Sequence, residues 1–234
     1  MQTMAHLMFG LSSLLVQALL ALQGIHAVDF KVIEDDGKTP GNIRFENEIS
    51  LDYSLQTLES ATTFIWRIFG QTNKADRKNV HSISLFVSPI DKDIIAYTIR
   101  GHHIHVNVNY LADYSGDVKR EFTGILYYEI THVWQWNGNE NAPVSLIRGI
   151  AAYVRLKANY APSNWQQAGA GNRWDERSDV TAHFLDYCNS LRSGFVAELN
   201  SKMRTGYSDN FFVELLGKTV DQLWADYKAK YLAD

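Results

Sequence analysis

The stretch Asp117–Gly138, DVKREFTGILYYEITHVWQWNG, constrains this chain more than any other. Phe122, Leu126, Ile130 and Val133 recur at helical spacing with Ile125 beside them, so one stripe of a long helix must face a core. Asp117 is placed to cap its start, Glu121 lies in its first turns, and Asn137-Gly138 is a stop signal. Within the helix stands Tyr128-Glu129-x-x-His132. It has the spacing of the metal-binding pattern H-E-x-x-H. That pattern works because residues i and i+4 share a helix face, so two imidazoles grip one ion while the Glu activates its water. Here the first imidazole is replaced by a phenol.

Upstream, Val28–Ile33, Ile83–Val87 and Ile94–Ile99 read as strands, and Ile104, Val106 and Val108 alternate with His105, Asn107 and Asn109 in another. Asp35–Pro40 is a turn-rich break, and Leu51–Phe69 is helical. Downstream, Val144–Tyr160, Asp179–Leu191, Gly194–Met203, Phe211–Leu216 and Val220–Tyr231 are helical, with a long polar loop over Ala161–Ser178. Strands come early and helices late, which predicts an α+β fold. The 234 residues suffice for one sizeable domain.

Residues 1–27 carry no Asp, Glu, Lys or Arg, and Leu7–Leu22 is apolar. This is the pattern of a secretory signal peptide cut after Ala27, leaving a single domain over 28–234 with no stable membrane association after cleavage. The lone Cys188 forbids an internal disulfide and is expected to pack as a small hydrophobe. Net charge is −4 without a long basic run, which argues against nucleic-acid binding. His102, His103 and His105 are expected on the outer face of an edge strand, with a peptide groove or a separate metal site as sharper readings. His183 is read as packing or surface.

Phe64–Ile68 (FIWRI), Ala75–Val80 (ADRKNV), Tyr114–Arg120 (YSGDVKR), Thr131–Gly138 (THVWQWNG), Tyr153–Ala158 (YVRLKA), Arg173–Asp175 (RWD), Phe184–Leu191 (FLDYCNSL) and Gly194–Tyr207 (GFVAELNSKMRTGY) carry a resemblance to the plant basic secretory protein family over about Val28–Tyr231. Those are secreted, pathogenesis-related proteins assigned to the zincin-like metallopeptidases. The resemblance implies a zincin-like fold, with a small mixed sheet over an active-site-type helix and a C-terminal helical half. The family's first helix reads H-E-M-T-H-V-W-Q-W; Glu129 matches its general base and His132 its second zinc ligand, while Tyr128 replaces the first. Its second helix reads E-G-I-A-D-Y-V-R, where the Glu is the expected third ligand and the Asp holds it in place, or the two roles are reversed. Arg148 and Ala152 stand at those positions. Ser178 differs as well, where Tyr is expected.

The resemblance therefore implies a secreted, apoplastic, defence-related protein that has lost its catalysis and acts by binding an extracellular protein or peptide, without a cofactor. The alternative is an active zinc-dependent endopeptidase. With the metal gone, Arg148 is expected to reach Glu129 and stand where zinc would.

Overall fold

The computed structural model describes residues 28–35 and 37–232; the signal-peptide reading lies outside them. In chain order the elements are β1 (Asp29–Glu34), α1 (Pro40–Glu48), α2 (Leu51–Ile68), a 3-10 turn (Lys74–Asp76), β2 (Ser82–Ser88), β3 (Ala96–Ile99) and β4 (His103–Asn107). There follow α3 (Val108–Asp113), α4 (Val118–Trp134), α5 (Val144–Lys157), α6 (Ser178–Leu191), α7 (Phe195–Lys202), α8 (Asn210–Leu216) and α9 (Val220–Leu232). The fold is α+β, with the strands in the N-terminal half and a C-terminal helical half. No helix among the described residues is long and apolar enough to cross a membrane.

The sheet runs β1-β2-β4-β3. β1, β2 and β4 are parallel, and β3 lies antiparallel on β4. Period-two alternation sends Ile83, Leu85, Val87, Ile104 and Val106 inward, where all are fully buried. The outward side chains form a row in register across all four strands: Ile33, Phe86, His105 and Tyr97. The His105 ring is stacked between Phe86 and Tyr97, with centroids 4.7 Å away on each side. This corrects the placement of the histidines. β4 is an inner strand, the edge strand is β3, and His103 and His105 face away from the core.

Two short helices depart from the sequence reading. Thr39 accepts from the Asn42 N–H and Pro40 occupies the first turn, so α1 starts where the turn-rich break ends. Strand β4 stops at Asn107, short of the Val108 and Asn109 that the alternation takes in. The Asn107 side chain accepts from the Asn109 N–H at 3.0 Å and donates to the carbonyls of Asp91 and Ile94. It thereby ends the strand and caps α3. α1 and α3 pack closely enough that a Cβ on Gly41 would lie 2.1 Å from the Val108 carbonyl oxygen.

α4 forms the centre, against α2, α5 and β3. Phe122, Leu126, Ile130 and Val133 are fully buried. Asp117 caps the helix by accepting from the Arg120 N–H at 2.9 Å. The helix ends at Trp134 rather than Gly138, because the backbone beyond it is claimed by the helical half. The Trp136 N–H donates to Asn200 Oδ1 and the Gly138 N–H to the Met203 carbonyl, each at 2.8 Å. α4 is tied to α5 by a buried ion pair, Arg155 Nη2 to Glu121 Oε2 at 2.7 Å, with Tyr110 donating to the same carboxylate. α5 in turn meets α6 through Gly149, where a Cβ would stand 2.1 Å from Thr181 Cγ2.

Candidate functional site

Three elements and one loop converge on an open cavity of about 790 Å³. α4 contributes Tyr128, Glu129 and His132, β3 contributes Thr98, α5 contributes Arg148, and the loop before β2 contributes Lys78. The sheet order brings this about: β3 lies at the end of the sheet, and its residues line the cavity wall facing α4.

Glu129 is 5% exposed, and its Oε2 accepts from Thr98 Oγ1 at 2.7 Å. Burial pushes its carboxyl up to about 7, opposed by that hydrogen bond. His132 sits one turn on. Burial, with the charges of Lys78 and Arg148 in support, pushes its imidazole down to about 4. The Gln135 amide meets its Nδ1 at 2.7 Å and fixes the tilt of the ring. Tyr128 packs its ring edgewise to His132 at 5.0 Å. Burial, then the Glu129 charge, push its phenol up to about 12.

Arg148 does not stand where a metal would. It is exposed at the cavity mouth, and among the described residues it makes no ion pair with Glu129. Thr98 answers the buried carboxylate instead, and Arg148 stays exposed on the cavity lining. Ala152 is fully buried and offers no donor.

A catalytic zinc site needs three protein ligands and one open position. Here one imidazole is available. The phenol beside it would have to lose a proton that its surroundings hold to about pH 12. The position on the facing helix carries a permanent cation, and Ala152 has nothing to orient a ligand with. Among the described residues no three His, Cys, Asp or Glu side chains gather as a metal-binding group. This donor set does not fit zinc.

Tyr128, Glu129, His132 and Arg148 line one cavity, and His102, His103 and His105 are not among its lining residues. Thr98, Lys78 and Gln135 are cavity residues the sequence reading did not single out. Lys78 and Gln135 fall inside stretches that carry the family resemblance; Thr98 had no signal, since only the strand order brings it to α4.

A family model described as peptidase of plants and bacteria matches residues 25–227. Over 58 residues the chain is 52% identical to a basic secretory protease of Boswellia serrata, a match that takes in 25% of this chain and 66% of that relative, just under two thirds of its length. No solved structure matches the chain. The motif helix, the cleft above it and a family match spanning most of the chain lead to one assignment: this protein belongs to the BSP family, the peptidases of plants and bacteria.

Proposed function

We propose that this protein is a secreted, zincin-like BSP-family member that binds peptide segments in its cleft and does not cleave them. One observation carries the reading: the cleft is open along strand β3 while its metal donor set is broken at Tyr128, Arg148 and Ala152. β3 ends the sheet, so among the described residues one side of its backbone has no strand partner, and an extended peptide can add there by main-chain hydrogen bonds. Glu129 and His132 are then remnants, of the general base and of one metal ligand. The charge-free, apolar N-terminal segment supports export to the apoplast with cleavage after Ala27, and the family resemblance supports a defence-related role.

The test is metal content and hydrolysis in the purified mature protein. The expected result is substoichiometric zinc and no cleavage of casein. Stoichiometric zinc, with casein cleavage abolished by chelator and by Glu129→Gln, would instead establish the active endopeptidase. As a positive control, Tyr128→His, Arg148→Glu and Ala152→Asp together should recover zinc, because they restore three ligands and a carboxylate to orient them. A folded triple variant that takes up no zinc would mean that the cleft has been remodelled beyond these three positions.

A further inference from the structure

Lys78 and Arg148 line the same cavity from different elements, and His132 lines it with them. The Trp136 ring beside Lys78 follows directly on α4, so Lys78 stands at the end of that helix that carries His132. Among the described residues neither cation forms an ion pair or a side-chain hydrogen bond, in contrast to Arg44, Arg155, Lys157, Arg173, Arg177, Arg192, Lys202 and Lys218. Lys78 is half-buried, with the Trp136 ring 5.8 Å from its Nζ. Burial pushes its ammonium down to about 8, and no carboxylate among the described residues opposes this.

The acidic groups of the cavity do not answer these charges. Glu129 is bonded to Thr98 on the far wall, and Asp93 is exposed. The carbonyl end of α4 supplies the equivalent of about half a negative charge, against two full positive ones. A chain with net charge −4 has therefore concentrated unanswered positive charge at one end of its cleft.

We infer that Lys78 and Arg148 form an anion site at the His132 end of the cleft, and that its ligand is a carboxylate of a bound acidic peptide. The inference rests on the peptide-binding reading above and narrows it to a substrate class. A peptide laid along β3 carries its side chains alternately to the two sides, so one residue in two is placed to face the α4 side of the cleft. A guanidinium accepts a carboxylate through two parallel hydrogen bonds, and an ammonium adds a point charge. Where the family resemblance implies an acidic residue at position 148 this chain carries Arg, so its cleft presents positive charge there.

Isothermal titration of the full mature protein, in EDTA at low ionic strength, tests this with three probes: acetyl-Ala-Ala-Glu-Ala-Ala-amide, its Gln counterpart, and acetyl-pentaalanine with a free C-terminus. The Glu peptide or the free acid is expected to bind roughly tenfold more tightly than the Gln peptide, the scale of two partly exposed charge pairs. Whichever of the two is tighter identifies the carboxylate as side-chain or terminal. The preference should shrink with added salt, shrink in Arg148→Ala, and vanish in Lys78→Ala/Arg148→Ala. Arg148→Ala removes an exposed side chain and leaves the fold intact, so it decides the matter even where Lys78→Ala fails to fold. Equal binding of all three peptides would overturn the anion site while leaving the peptide cleft standing. Binding of none of the three would overturn both.

Discussion

Replacing Glu129 by Gln tests the reading of the cleft most directly. In the folded protein Glu129 holds its proton to about pH 7, against 4.5 for the ordinary group. The folded state therefore binds more protons than the unfolded one between those values, and stability falls as pH rises through that window. At about 1.4 kcal/mol per pH unit, the ionised carboxylate costs at most about 3 kcal/mol above pH 7. His132 works in the opposite direction: its folded value is about 4 against 6.5, so stability falls as pH drops between those limits. The two windows nearly coincide, so the wild-type profile conceals both effects. The difference between wild type and Glu129→Gln isolates one of them, since His132 and all remote groups cancel. Urea unfolding followed by tryptophan fluorescence in EDTA should show the variant gaining on wild type by up to about 3 kcal/mol between pH 4 and pH 8. A difference that does not change with pH, or one that turns against Gln as pH rises, would refute the idea that Glu129 is a buried carboxylate held by a single hydroxyl.

Three further outcomes follow from the packing. Gly149→Ala drives a methyl into Thr181 at a helix contact with no slack, and should lower stability by about 3 kcal/mol or more in thermal unfolding. Arg155→Ala strands Glu121 without its partner and should cost about 3–5 kcal/mol by the same assay, with part of the loss recovered by adding Glu121→Gln. Cys188 is fully buried and its thiol is pushed up by burial, so iodoacetamide at pH 8 should label it only after unfolding; mass spectrometry of the native protein shows which.

The parts of the fold that were legible in the sequence are those where the local pattern and the tertiary environment agree. The stripe Phe122–Val133 and the Asp117 cap announce α4, and alternation announces β4. α1 and α3 were not legible, since helices of nine and six residues carry little periodicity and depend on contacts such as Gly41 against Val108. The histidines were misplaced for another reason. β4 inserts between β2 and β3, and strand order is a long-range property that alternation does not encode. At the site, the sequence named the residue types at Tyr128, Arg148 and Ala152 but not the direction of a long side chain. Thr98, far away in sequence, had already met Glu129.

The open backbone of β3 has a consequence for the behaviour of the protein in concentrated solution. A strand with an unpaired side is a template on which any extended chain can grow, including a second copy of the same molecule, and that is how fibrils begin. The length of β3 limits the risk, since four residues give few hydrogen bonds to a flat intruder. At the opposite end of the sheet the outer strand is longer, but Asp29 and Lys31 are exposed along it, so strand-to-strand growth would bring charged side chains together. Self-assembly is thus discouraged by brevity at one margin and by charge at the other, and the margin left free of charge is the one that opens onto the cleft.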